Sequence, residues 1–392
     1  MPETEANKKE RIEICLLIGR LVGIVGFHEG SLNILQDAID VAEEIGDERS
    51  LVLISSRLGR YHLYRGDILE AIECSEKAFR VAESKADLDL IAPIGVDLVI
   101  PYLFYSDILK ANDIALKVIY MLEKTQRESE FFGRTFNVYS ELNILYGFNL
   151  ALLGKFDAAK TTCNKGLSFA RNLNHLPSMA EEIILGGIYV IQGDGKNAIK
   201  HIEIGKKYSE QAGLDFILPL TFTNLGEAYY YIGDLSKARS YVENGLKIQE
   251  EMRIQMGFFN DYFVLCMIDL DLGEYKHAQR LAETALNQIK KTNIKGHEGI
   301  MWALTGRILG KKDPPEFDKG EQYIHKGIQI LTKKEFKPWA SQGYLYLGDL
   351  YNDMGRRDEA LQHLRKAEEM FQEMGMDYWL NRTKEILGKA SE

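Results

Sequence analysis

LPLTFTNLGEAYYYIGDLSKARSYVENGLKIQ, residues 218–249, decides the fold. It holds two helical patterns around one break, Gly233-Asp234. Leu225, Gly226 and Tyr229 recur before the break, and Ala238, Val242 and Leu246 after it. The steps follow the period of a helix and not the alternation of a strand. Small residues stand at Gly226, Ala238 and Gly245, where two helices must cross closely. One such pair cannot bury its apolar faces alone, so the unit asks for copies of itself.

The copies are present. The break recurs at Gly26, Gly66, Ser106, Gly154, Gly193, Gly233, Gly273, Pro315 and Gly355, at intervals of 40, 40, 48, 39, 40, 40, 42 and 40 residues. Five residues after each break lies a small residue: Ser31, Ala71, Ala111, Ala159, Ala198, Ala238, Ala278, Gly320 and Ala360. Twelve after it lies another (Ala38, Ala78, Gly166, Gly205, Gly245, Ala285, Gly327, Ala367), with Val118 the exception. Seven before it stands a glycine in six copies: Gly19, Gly59, Gly147, Gly186, Gly226 and Gly348. Glycine at the break ends the first helix without a Cβ clash. Asp67, Asp194 and Asp234 follow it, where a carboxylate caps the second helix or favours its N-terminal dipole.

The fold class is therefore all-α, with nine helix pairs. First helices are expected near 10–25, 50–65, 88–105, 132–153, 176–192, 216–232, 256–272, 296–310 and 338–354. Second helices are expected near 29–45, 68–84, 108–125, 156–173, 196–212, 235–252, 275–291, 317–333 and 357–374, with a capping helix at about 377–389. In the third copy Pro101 is expected to kink or shorten its helix. About eight extra residues around Thr125 to Arg134 precede the fourth copy as a longer loop or an extended helix. Either feature allows a division of the single array, 1–392, into 1–128 and 129–392.

The formal net charge is −10, and a basic footprint for phosphate backbones is missing, which argues against nucleic acid. The polar start lacks the plan of a signal peptide. Stretches 12–27 and 91–105 are interrupted by Arg20 and by two prolines with Asp97, so no membrane span is expected. Cys15, Cys74, Cys163 and Cys266 are far apart and read as single buried thiols of a reducing compartment, which places the chain in the cytoplasm.

Leu225, Gly226, Tyr229, Gly233, Asp234, Ala238 and Gly245 resemble the tetratricopeptide repeat, with helices longer by about a turn than the usual unit. The resemblance implies a right-handed α-solenoid. The chain is also similar to the C-terminal repeat region of bacterial signalling proteins that join a class III adenylate/guanylate cyclase, an AAA-type ATPase and tetratricopeptide repeats. That likeness is carried by 175–178 (HLPS), 233–246, 311–331 and, most specifically, LGDLYNDMGRRDEALQHLRKAEEMFQEMGMDYWL at 347–380. No G-x-x-x-x-G-K-[ST] loop and no strand-borne aspartate pair is present, so the family's ATPase and cyclase sites are not expected here. The implication is a regulatory or assembly module, not an enzyme, without a cofactor or metal.

His28-Glu29-Gly30 and His297-Glu298-Gly299 repeat a tripeptide but lack H-E-x-x-H spacing, and read as helix-terminus side chains. In the resembled family the first helices line the concave surface. Positions 13, 10, 6, 3 and 2 before the breaks then select Arg60, Tyr64, Phe104, Glu141, Phe148, Thr223, Glu227, Tyr230, Tyr231, Asn260, Phe263 and Met267. Arg307, Gln342, Asp349 and Asn352 complete the set, Arg307 more loosely because of the inserted turn. Aromatic anchors beside acids and amides suit a protein or peptide segment with basic and apolar side chains. The alternative is a sensor of a small ligand or peptide, with the aromatics near 229–263 stacking on it. The oligomeric state stays open.

Overall fold

The structure is a computed structural model that describes residues 4–25, 29–255, 257–292 and 294–391. The break at Gly26 and His28 lie outside the described residues. Among these residues there is no strand. The helix pairs are α1 (Glu5–Val25) with α2 (Glu29–Ile45), α3 (Glu48–Arg65) with α4 (Ile68–Ser84), α5 (Leu88–Tyr105) with α6 (Ile108–Thr125), and α7 (Val138–Leu152) with α8 (Phe156–Asn172). The fifth is α9 (Leu176–Ala180) and α10 (Glu182–Gln192) with α11 (Gly195–Ala212). Then follow α12 (Leu218–Tyr231) with α13 (Leu235–Met252), α14 (Phe258–Asp271) with α15 (Tyr275–Thr292), α16 (Lys295–Lys311) with α17 (Phe317–Lys333), and α18 (Lys337–Asp353) with α19 (Arg357–Met374), closed by α20 (Asp377–Ser391). This is an α-solenoid of repeated helix pairs.

The second helices carry a narrow apolar stripe. In α19 only Ala360, Leu364, Ala367 and Phe371 are buried, one stripe at helical spacing. The first helices are buried nearly all round because each packs on its own partner and on the first helices of neighbouring repeats: α3 on α5, α5 on α7, α7 on α10, α10 on α12, and so on to α18. They form the inner wall. Helix α5 is long and apolar enough to cross a membrane, but 72% of it is buried within the stack.

The expectations for the third and fifth first helices are corrected, and of the two alternatives before the fourth copy the loop is found. Pro101 does not shorten α5, which runs unbroken to Tyr105, and Ser106 supplies the left-handed residue (φ 66°) where other copies use glycine. The residues before α7 form a loop, because Arg134 and Asn137 turn inward: Asn137 Nδ2 donates to the carbonyls of Glu128 (2.9 Å) and Glu130 (3.2 Å). The fifth first helix is broken at Glu181, where Ile184 N–H closes a tight turn onto the Glu181 carbonyl (2.8 Å). Of the aspartates, Asp194 and Asp234 accept from the N–H of Asn197 and Lys237, each at 3.1 Å, whereas Asp67 makes no cap bond.

The solenoid winds tightly enough for one turn to rest on the next. Gln192 Nε2 donates to the Gly375 carbonyl 183 residues away (2.9 Å), and Gln255 N–H donates to the Tyr64 carbonyl (2.9 Å). Helix α16 touches α5, and Met374 lies against Gly154. At the C-terminus Arg382 pairs with Asp271 (2.6 Å) and reaches the hydroxyl of Tyr378 (3.2 Å).

The close crossings fix this geometry. A Cβ on Gly147 would stand 2.7 Å from the Ala159 carbonyl oxygen and 2.9 Å from Cys163 N, both backbone atoms that cannot yield. Gly147→Ala is therefore expected to cost about 1–3 kcal/mol in equilibrium unfolding. Gly388→Ala on the exposed side of α20, with nothing within 4 Å, should instead stabilise by about 0.5–1 kcal/mol. Equal effects at the two sites would contradict the crossing geometry.

Candidate functional site

The inner wall encloses a chamber of about 270 Å³. Every first helix from α3 to α18 contributes to it: Tyr64, Phe104, Phe148, Ile184, Asn224, Phe263, Met301 and Trp339 among others. The walls are aliphatic and aromatic. Three carboxylates, Glu141, Glu181 and Glu227, face it with Asn224, Asn260 and His297. None of the described lining residues is a lysine or arginine.

The structure brings seven of the selected residues together here: Tyr64, Phe104, Glu141, Phe148, Glu227, Asn260 and Phe263. Arg60 is half-buried beside Tyr64 and Asp97, close to the chamber floor. The others lie elsewhere. Thr223 is buried, donating its hydroxyl to Asp261 Oδ1 (2.5 Å). Tyr230 and Tyr231 lie under α20, their rings against Tyr378 at 6.2 and 4.8 Å. The Tyr230 hydroxyl donates to Asp271 Oδ2 (2.7 Å). Met267 and Gln342 are buried in the stack. Arg307 lies over the Tyr346 ring (4.8 Å), and Asp349 is held by Lys311 (3.1 Å). Asn352 is half-buried and does not line the chamber. The C-terminal part of the wall is thus filled by the chain's own side chains, and the expectation that these residues face an open groove is corrected.

The floor is a buried ion network. Arg134 donates to Asp97 Oδ1 (2.5 Å) and to both Glu141 oxygens (3.2 Å each), while Ser56 donates to Asp97 Oδ2 (2.6 Å). Burial raises the Asp97 carboxyl, but Arg134 and Arg57 outweigh it and hold it below its usual value. Glu227 has a different setting. Burial raises it to about 7, partly offset by the Tyr231 hydroxyl that donates to it (2.8 Å).

Two titratable lining residues escaped the sequence reading. Glu181, 8% exposed, has no hydrogen-bond partner for Oε2 among the described residues. Burial and the neighbouring Glu141 push its carboxyl well above the usual range, against Arg134. His297, read as a helix-terminus side chain, lies in the first turn of α16 and faces the chamber, its ring 3.7 Å from that of Phe259. Burial lowers it to about 3, so it is neutral. Other missed lining residues share a register, since Leu145, Ile184 and Asn224 each stand nine before their break, whereas Glu181 and His297 fit none.

Asp269, Glu274 and His277 also converge, but Arg239 reaches Asp269 (2.6 Å) and Glu274 (3.5 Å), so a protein cation already serves that cluster. The four cysteines are free; Cys15, Cys163 and Cys266 are buried and Cys74 is half-buried.

Residues 341–373 match the family model described as tetratricopeptide repeat. No curated protein sequence matches the chain. Among solved structures it is similar to a Rap protein complexed with competence and sporulation factor (13% identity, TM-score 0.66, 93% of this chain and 99% of that one). It is similar to NprR in complex with its cognate peptide NprX (15% identity, TM-score 0.59, 93% and 99%). It is also similar to the APC/C hetero-tetramer Cut9-Hcn1 (13% identity, TM-score 0.63, 94% of this chain but 62% of that one). At these identities the likeness is one of fold: a tetratricopeptide-type helical repeat.

Glu227 makes stability depend on pH. The folded chain keeps its proton up to about pH 7, whereas the unfolded chain releases it near the ordinary 4.5. Folded protein binds more protons in that window, so the contribution is full below about 4.5 and is lost as pH rises through about 7. Thermal midpoints of wild type and Glu227→Gln, compared across that window, should move against the wild type with rising pH. A constant difference would mean that Glu227 ionises as an exposed acid does.

Proposed function

We propose that this tetratricopeptide-type solenoid is a non-catalytic regulatory module that binds a short peptide or protein segment in its inner chamber. The observation that carries the reading is the chamber itself: apolar and aromatic walls with a few convergent polar groups, drawn from the inner helices of successive repeats. Such a composition is that of a binding site, in which apolar contact supplies affinity and a few polar groups set orientation. At about 270 Å³ it lies just under the roughly 300–1,000 Å³ of ligand pockets and suits a few side chains or an extended segment. A helix, ~10–12 Å across with its side chains, needs more room.

The solved structures of similar fold include two whose titles name a bound factor or peptide, Rap with competence and sporulation factor and NprR with NprX. These support peptide binding by such a solenoid, and the binding residues proposed here come from this chain alone: Tyr64, Phe104, Glu141, Phe148, Glu227, Asn260 and Phe263. A place in bacterial signalling, next to a cyclase or ATPase and in the cytoplasm, rests on the sequence resemblance and on the scattered free cysteines. The chamber's small volume favours a second reading, the sensing of a small ligand. A thermal-shift screen of cyclic nucleotides, sugars and short peptides separates the two by which class raises the midpoint.

Selection from a displayed library of short peptides, with the purified chain as bait, tests the main reading. Phe148 and Asn260 are half-buried, so their truncation disturbs the stack least. Phe148→Ala with Asn260→Ala is expected to weaken the selected peptides by about tenfold or more, with the helical signal retained. Undiminished affinity in the double variant would remove the chamber as the binding site.

A further inference from the structure

The chamber contains an acid that the fold does not use. Glu181 is buried, lines the cavity and leaves Oε2 without a hydrogen-bond partner among the described residues. Its neighbour Glu182 shows the contrast: Arg171 reaches one of its oxygens (2.6 Å) and His201 the other (2.7 Å). Two consecutive glutamates therefore divide their work. Glu182 is tied into the stack, and Glu181 lines the chamber at the point where the helix is broken between α9 and α10.

A buried carboxylate without a donor costs stability, and native structures seldom keep one idle. The charged groups facing Glu181 are Glu141 on α7 and Arg134 on the preceding loop. Arg134 is already committed to Asp97, Glu141 and the Pro93 carbonyl (3.1 Å). Glu141 repels a second negative charge. Among the described lining residues the titratable remainder is Tyr64, Glu227 and neutral His297, so nothing else in the wall offers a cation.

We propose that Glu181 is the anchor of the site, taking the ammonium or guanidinium group of a short apolar peptide whose body lies against Phe104, Phe148 and Phe263. The inference rests on the reading of the chamber as a peptide site and adds the charge class of the ligand and the residue that selects it. An incoming cation supplies the donors that Oε2 lacks and forms a charge-assisted hydrogen bond out of water. It also stabilises the ionised carboxylate against burial and Glu141, so uptake of the cation expels the proton that Glu181 otherwise holds. Anionic ligands are rejected, since they would meet acids and no basic group in the wall.

Calorimetry with three versions of one apolar pentapeptide tests this. The first carries a free amino terminus and one lysine, the second an acetylated terminus and norleucine, the third an acetylated terminus and glutamate. Titrations in two buffers of different ionisation enthalpy count the protons released. The cationic peptide should bind about tenfold or more tightly than the neutral one, with proton release, and the acidic one should not bind. Glu181→Gln should abolish both the preference and the proton release without lowering its thermal midpoint. Glu182→Gln, altered on the other face, should keep the preference. Equal binding of the cationic and neutral peptides, or an undiminished preference in Glu181→Gln, overturns the inference and leaves the peptide site standing. If no peptide of any charge binds, the peptide reading of the chamber fails and this inference fails with it.

Discussion

Close approach of helix backbones is the constraint from which the rest of the molecule follows. At Gly147 the facing atoms are a carbonyl oxygen and an amide nitrogen of α8, and at Gly226 a Cβ would meet Val242 at 2.3 Å and the Ala238 carbonyl at 2.9 Å. Two helices that meet without side chains between them have little choice of crossing angle. Repeated along the chain, one fixed crossing becomes a fixed rotation per repeat. The rotation is large enough for the wall to come back over itself four to five repeats later, where Gln192 meets Gly375. A looser crossing, with leucine in place of glycine, would open the pitch and leave an exposed groove.

Closure changes what the inner wall is. Most of its first helices are buried on nearly every face, so their side chains are chosen for the stack before any ligand. Helix α20 takes up one stretch of wall by laying Tyr378 and Trp379 on Tyr231 and pinning Arg382 to Asp271. The chamber, lined by first helices from α3 to α18, keeps free volume. The loop before α7 supports it from below. That insertion carries Arg134 into the floor, where the guanidinium holds α5 through Asp97 and α7 through Glu141. Removing one partner from such a network would strand a buried charge.

The repeat was legible because it is local. Helix-period spacing, a glycine at the turn and small residues at fixed offsets each act within one unit, and the placed helices end close to where the structure ends them. The lining was legible only in part. Positions 13, 9, 6 and 2 before the break form the stripe that faces the chamber, as Glu141, Leu145, Phe148 and Leu152 show in a single helix. The offsets 10 and 3 lie on its flank and reach the chamber in some repeats, as Phe263 does, but not in others, where Tyr230 turns away under α20. Glu181, twelve before its break, belongs to no stripe, because its helix is broken there. Tyr231 has the correct offset yet lies under α20, since contact with a chain end more than a hundred residues away leaves no trace in the repeat.

The charge of the wall is likewise a matter of allocation and not of composition. Four acids near the inner surface are taken out of water, and they meet different fates. Asp97 stays below its ordinary value despite burial because Arg134 and Arg57 stand beside it. Asp261 has only the neutral donors Thr223 and Gln249, and burial carries it to about 7. Glu227 has one hydroxyl donor and reaches about the same value. Glu181 is pushed well above its usual range by burial and by the repulsion of Glu141. Burial pushes each of them upward, and only Asp97, with two guanidinium groups beside it, ends below its ordinary value. The chain has 48 basic and 58 acidic residues, and that count predicts none of these differences. They arise because the insertion before α7 brings Arg134 to Asp97 and Glu141 and leaves Oε2 of Glu181 unserved. The loop under the chamber therefore decides where in it a positive charge is wanted.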